Sequence, residues 1–278
     1  MMQKYFLFLV LIYSSLLNAQ QYSGKVVNSK SGEIIPYVNI GIVNKGVGTV
    51  SLGDGSFHLN LEAEYDNDTL RFSMIGLESV SYLVKDYKTQ FNETSAEILM
   101  AESLTELQTV IIKPVKVISV IKGNTFDNKS FAAGWKSDDL GGELGTIINV
   151  KKGTTYFIKN VQINIAWCKY DSILFRMNLY DYQNGKPGNF LQAVPIYLKV
   201  KNEQRYLYVD LEPYNITVES DFLIALEWLD DLPDKPSSLM FCAGMFGAST
   251  CYRKTSQDAW QKVPIGLGFS VEMEYEKK

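Results

Sequence analysis

The chain holds one histidine, His58. A Ser-His-Asp triad, a histidine zinc site and a two-histidine iron site therefore lack the residues they are built from. His58 also falls on the polar side of the run Ser56-Phe57-His58-Leu59-Asn60-Leu61, which makes it a solvent-facing strand residue. Carboxylates remain, because glycoside hydrolysis needs only two at a defined separation. The candidates are Asp138, Asp139, Glu143, Asp230, Asp231 and Asp234. Asp230-Asp231-x-x-Asp234 has oxygen ligands suited to Ca²⁺, but it lacks the alternation of a calcium loop and reads as a solvated acidic turn beside Pro233 and Pro236. Gly141-Gly142-x-x-Gly145 precedes a strand instead of opening a helix, so it is not a phosphate loop. The expectation is no catalytic residue, no metal ligand set and no cofactor.

Three cysteines are present, Cys168, Cys242 and Cys251. If residues 241–244 and 250–253 pair as a hairpin around Phe246-Gly247, Cys242 stands opposite Cys251 at a separation a disulfide can bridge. The alternative is three buried thiols acting as small hydrophobes. Aromatic residues give the best binding hint. Tyr197, Tyr206 and Tyr208 stand opposite inward aliphatic positions, as do Tyr180 and Tyr182 on an earlier strand, and Trp260 sits between polar turns. A hairpin closing from Val200 to Tyr206 would bring Tyr197 and Tyr208 onto one face. Such rings stack on sugars or anchor a protein partner, or else simply cover the sheet.

The elements that position these residues are strands. Residues 1–19 read as a secretory signal peptide: Lys4, an almost wholly apolar 13-residue run from Tyr5 to Leu17, and Ala19 before the cleavage point. No other stretch approaches the roughly 20 apolar residues of a membrane span, and residue 20 is glutamine, so no lipid-modified cysteine is expected. A net charge of −4 gives no footprint for nucleic acid. Residues 20–113 form a first domain with strands at 22–27, 36–42, 69–75, 96–100 and 108–112, and a tight hairpin at Gly53-Asp54-Gly55. No sustained 3.6-residue period interrupts them, so a small antiparallel sandwich is expected. Pro114 marks the boundary. Residues 114–278 repeat the pattern: Val161/Ile163/Ile165/Trp167, Phe175/Met177/Leu179, Ile196/Leu198/Val200, Leu207/Val209/Leu211, Phe222/Ile224/Leu226/Trp228 and Leu267/Phe269/Val271/Met273/Tyr275 point inward. Eight or more such strands make a two-sheet, jelly-roll-like sandwich, and the fold class is all-β with two β-sandwich domains.

Five signatures in the first domain occur together: Gly24-x-Val26; Ser31-Gly32-Glu33-x-x-Pro36-Tyr37-Val38-Asn39-Ile40; Gly48-Thr49-Val50-Ser51; Asp54-Gly55-Ser56-Phe57-x-Leu59; and Leu70-x-Phe72-Ser73-x-Ile75-Gly76. In that order they resemble the carboxypeptidase regulatory-like domain, a transthyretin-like sandwich, over about a third of the chain. Leu77 stands where that family often has an aromatic residue. The resemblance implies a structural or docking module of envelope proteins without peptidase chemistry. A similar domain precedes the plug and barrel of TonB-dependent receptors, but residues 114–278 are too few for a large barrel. In the second domain Asp171-Ser172-x-x-Phe175-Arg176-x-Asn178, Gly185-x-Pro187 and Tyr252-Arg253 with Trp260 look similar to jelly-roll domains of secreted bacterial proteins, some of them carbohydrate-binding.

The expected function is a non-catalytic exported module in the periplasm or at the outer membrane or cell surface. Its partner is an envelope protein or a glycan. A carbohydrate-binding protein using the jelly-roll face is the alternative, followed by a glycan-active enzyme with paired carboxylates. Export has a direct check: mass spectrometry is expected to show a mature chain beginning at Gln20 in the envelope fraction, and intact Met1 on cytosolic protein would refute it.

Overall fold

In the computed structural model, residues 20–91, 95–103, 116–136, 140–230 and 237–277 are described. The signal segment, the expected strand at 108–112 and the carboxylates Asp138, Asp139, Asp231 and Asp234 lie outside them.

The first domain contains β1 (Gln20–Asn28), β2 (Asn39–Ile42), β3 (Gly48–Val50), β4 (Ser56–Leu61), β5 (Thr69–Ser73), β6 (Val80–Leu83), helix α1 (Val84–Gln90) and β7 (Ala96–Met100). They form two sheets, ordered β4-β1-β7 and β3-β2-β5-β6. Between them lie Val26, Ile40, Phe57, Leu59, Phe72 and Ile98, all buried; each such side chain contributes about 1.5–3 kcal/mol on leaving water. Phe57, Leu59 and Leu61 face inward and His58 is exposed, as the alternation requires.

Three expectations need correction. The sandwich is not purely antiparallel, because β7 runs parallel to β1. The Gly53–Gly55 turn is tight, with Gly55 at φ +74°, but it joins strands of different sheets: β3 pairs with β2 and β4 with β1. It is a corner of the sandwich and not a hairpin. Helix α1 escapes the periodicity reading because it is only seven residues long. Its inward positions, Val84 and Tyr87, are a single i, i+3 pair.

The second domain contains β8 (Val117–Gly123), β9 (Ala132–Trp135), β10 (Glu143–Ile148), β11 (Tyr156–Cys168), β12 (Ser172–Gln183), β13 (Lys186–Phe190), β14 (Ile196–Lys201), β15 (Tyr206–Asp210), β16 (Thr217–Val218), β17 (Phe222–Trp228), β18 (Leu239–Gly244), β19 (Thr250–Arg253), β20 (Gln261–Val263), β21 (Gly266–Leu267) and β22 (Phe269–Glu276). One sheet runs β13-β12-β17-β10-β19-β20, with β14 also on β12. The other runs β21-β18-β11-β22-β8, with β15 and β16 on β11 and β9 on β18. The core between them includes Trp135, which stacks on Phe175 at 5.5 Å and meets Trp228 edge-on at 5.6 Å. Trp167 does not join it. A bulge between Ile165 and Trp167 adds a residue to β11, turning Trp167 to the outer face and Cys168 inward.

Gly55 gives the fold a test. A side chain there would be forced into a positive-φ backbone and against Ile34 and the Val26 carbonyl oxygen. Gly55→Val is expected to cost about 1–3 kcal/mol, read as a lower thermal midpoint, and an unchanged midpoint would place the strained turn elsewhere.

Candidate functional site

The face of β12 opposite the core carries Arg176, Asn178 and Tyr180, positions that alternation assigns to solvent. All three are buried. Register explains what gathers around them. β17 sets Glu227 opposite Arg176, β10 sets Glu143 opposite Glu227, and β19 sets Arg253 opposite Glu143. The result is a row of charges, Arg176–Glu227–Glu143–Arg253, across four adjacent strands. Its side chains are 0% exposed except for Arg253, at 11%.

Each carboxylate is held by an arginine. Arg176 donates from Nε and Nη2 to Glu227 Oε2 at 2.9 and 2.6 Å. Arg253 donates from Nε to Glu143 Oε1 at 2.9 Å, and its Nη2 also contacts that oxygen. The two central carboxylates are like charges on facing positions, an arrangement that disfavours a sheet. Asn178 relieves it by donating from Nδ2 to Glu227 Oε2 at 2.8 Å and to Glu143 Oε2 at 3.2 Å, while the Tyr180 hydroxyl donates to Glu143 at 2.9 Å. Burial pushes the Glu143 carboxyl above the usual glutamate range; Arg253 pulls it back in part and Glu227 pushes it further up. Burial and then the Glu143 charge hold the Tyr180 phenol well above its ordinary range. Burial works against the charges on Arg176 and Arg253, and the carboxylates of Glu227 and Glu143 more than offset it.

The first domain covers the Arg176–Glu227 end of this row. Along β2 and the residue before it, Val38, Ile40 and Ile42 face their own core, so Asn39 and Gly41 face outward. The Asn39 amide donates to Glu227 and accepts from Arg176. Arg176 Nη1 donates to the Tyr37 carbonyl at 2.8 Å, and Gln257 Nε2 to Ser73 Oγ at 2.7 Å. The Ser256 carbonyl oxygen lies so close over Gly41 and Gly48 that a Cβ at either position would strike it. Two glycines thus let backbone of the second domain approach the sheet of the first.

Beside the row the two domains part, leaving a cleft of about 500 Å³. Arg71, Ser73 and Leu77 line it from the first domain, and Asn189, Arg253 and Trp260 from the second. The Arg253 guanidinium lies over the Trp260 ring, 4.9 Å from its centroid.

The expected binding tyrosines do not come together. β14 belongs to the seven-stranded sheet and β15 to the eight-stranded one, so the connection from Val200 to Tyr206 crosses the sandwich and closes no hairpin. Tyr197, 42% exposed, packs at 5.5 Å against Tyr37 of the first domain. Tyr206 and Tyr208, 49% and 63% exposed, share the outer face of the opposite sheet. Tyr206 donates to Asp127 at 3.1 Å. Tyr180 does lie on the face opposite the core, but it is buried against Phe190 and Trp260 instead of exposed, and both Tyr180 and Trp260 line the cleft. The Cys242–Cys251 pairing is also corrected. β18 and β19 take neighbours in different sheets, and Cys168, Cys242 and Cys251 are all buried free thiols. Of the carboxylates considered, Glu143 is in the charged row and Asp230 accepts the Leu174 amide at 2.6 Å. No cluster of three or more metal-ligating side chains occurs among the described residues. Glu227, Arg176 and Asn39 were not picked out as site residues from sequence. The usable signal was β17, Phe-Leu-Ile-Ala-Leu-Glu-Trp, whose near-continuous apolar run marks a strand covered on both faces.

The fold and interface define a two-domain, all-β protein built of sandwiches. Residues 22–112 match the family model of the CarboxypepD_reg-like domain, so the first domain is a carboxypeptidase regulatory-like domain. No curated protein matches the chain. Solved structures with some likeness include viral ones. They include the T13 particle of infectious bursal disease virus (7% identity, 92% of this chain and 62% of that one, TM-score 0.32) and the Gx strain of the same virus (8%, 93% and 64%, 0.31). Its VP2 subviral particle is similar at 8% identity, 92% and 64% coverage and a TM-score of 0.27. This chain spans less than two thirds of those chains, and likeness at such TM-scores decides nothing about fold or function.

The row predicts an asymmetry in mutational cost. Arg176→Met leaves Glu227 sealed and unpaired by its main cation, at an expected cost of about 3–5 kcal/mol in chemical denaturation. Adding Glu227→Leu is expected to recover part of that loss. A double variant no more stable than the single one would show that the charge pairing is not what the single change removed.

Proposed function

We propose that this protein is a non-catalytic, exported envelope module in which the carboxypeptidase regulatory-like domain and the second sandwich form one docking unit. The observation that supports this reading is the state of the facing carboxylates. Glu143 and Glu227 are each bound by an arginine with their side chains fully buried, and Glu227 also takes the Asn39 amide of the first domain. A glycosidase pair instead flanks an open site with room for a sugar and, in the inverting class, a water. Here both carboxylates are enclosed, and Glu227 serves to join the two domains. The apolar leader before Gln20 supports export to the periplasm or outer membrane. No helix among the described residues is long and apolar enough to cross a membrane.

The docking face favoured by exposure is the outer side of the eight-stranded sheet, where Tyr206 and Tyr208 stand free of the first domain. A second reading, carbohydrate binding by the same face, draws on Tyr208 standing opposite Gln162, an exposed ring beside an amide. The test compares the tagged mature chain with its Tyr206→Ala/Tyr208→Ala variant in capture from envelope extract and on a glycan array. The docking reading expects loss of one protein partner with an unchanged melting curve. Loss of array binding alone would favour the glycan reading. Turnover of peptide, ester, nucleotide or glycan substrates that disappears in Glu143→Gln would refute the non-catalytic reading.

A further inference from the structure

We propose that the cleft between the two domains is a binding site for a carboxylate-bearing saccharide, a uronic-acid disaccharide being the simplest member of the class. This goes beyond the docking function and concerns a different surface from Tyr206 and Tyr208. Its volume of about 500 Å³ lies within the range of small-ligand pockets, which favour domain interfaces.

The lining decides the charge of the occupant. Arg71 and Arg253 are its only ionised side chains among the described residues, with no Asp or Glu in the wall. The charge of Arg253 is matched from beneath by Glu143, which takes its Nε and Nη2 and leaves Nη1 without a hydrogen bond among the described residues. Arg71 makes one hydrogen bond, from Nη2 to the Ser79 hydroxyl at 3.2 Å, and no ion pair among the described residues. Arg71 therefore supplies net positive charge and Arg253 a fixed donor, a combination that suits a planar carboxylate.

The remaining wall decides that the anion is carried by a sugar. Trp260 and Phe190 provide ring surface, and Asn189, Gln257 and Ser73 provide amides and a hydroxyl for a polyol. A bare phosphate would use the arginines and leave the rings without a role. Both domains are needed, since Arg71 and Ser73 come from β5 and the rings from the second domain.

The test is calorimetry on the mature full chain with galacturonate, glucuronate and mannuronate disaccharides, their methyl esters and inorganic phosphate. At least one acid disaccharide is expected to bind, its uncharged ester at least tenfold more weakly. Arg71→Ala is expected to reduce affinity at least tenfold at an unchanged melting temperature, because Arg71 is exposed and outside the buried row. Tyr208→Ala is expected to leave it unchanged. The proposal is overturned if no uronate binds at millimolar concentration, if acid and ester bind alike, if phosphate binds as well as the saccharide, or if Arg71→Ala has no effect. Partner capture by the outer sheet face would survive any of those results.

Discussion

Four charged side chains shut away from water govern how this molecule is put together. Moving one ion into a low-dielectric interior costs several kcal/mol even after relaxation, so such groups persist only when each is paired and hydrogen-bonded. The row Arg176–Glu227–Glu143–Arg253 meets that requirement by sheet register: neighbouring strands place each carboxylate against a cation, and the four formal charges cancel. Isolated, the second sandwich would leave the Arg176–Glu227 end of this row without its cover. With the first domain in place, Asn39 and the Tyr37 carbonyl supply the bonds that water would otherwise make. The domains are therefore matched in chemistry as well as shape, since an apolar cover would leave Arg176 Nη1 and Nη2 short of acceptors.

The weak point of the row is its middle, where Glu143 and Glu227 oppose each other. Asn178 bridges them as a donor, and Tyr180 donates to Glu143. The upward push on the Glu143 carboxyl from burial and from Glu227 is the electrostatic trace of that crowding. Arg253 answers it on one side and faces the cleft and Trp260 on the other. A single side chain thus belongs both to the lock between the domains and to the surface of the opening beside it.

Much of the architecture was legible from two-residue periodicity. Phe175, Met177 and Leu179, or Phe269, Val271 and Met273, declare their core face because one side of the strand is apolar and the other polar. The same reasoning finds the opposite face, with Arg176, Asn178 and Tyr180, but not its burial, because a buried polar face has the composition of a solvated one. Local pattern also could not say which strands pair. The turn at Gly55 was placed correctly, but its strands go to two sheets; the cysteine and tyrosine pairings failed because β18–β19 and β14–β15 change sheet between their members. A tight hairpin and a sandwich corner can use the same residues, and only the long-range register tells them apart.

The family signature acquires a second meaning in this setting. In Pro36-Tyr37-Val38-Asn39-Ile40-Gly41 the aliphatic residues build the core of the regulatory-like domain, which any copy of that sandwich needs. Asn39 and Gly41 alternate with them and face outward, where Asn39 reaches Glu227 and Gly41 accepts the Ser256 backbone. One strand thus specifies its own fold with one set of side chains and its neighbour with the other. The interface is closed by the Asn39 amide, by Arg176 on the Tyr37 carbonyl, by the Tyr37–Tyr197 ring pair and by two missing side chains. Specificity follows from geometry: a competing surface must bring a buried ion pair to the Asn39 amide and, at the same time, backbone within reach of two glycines.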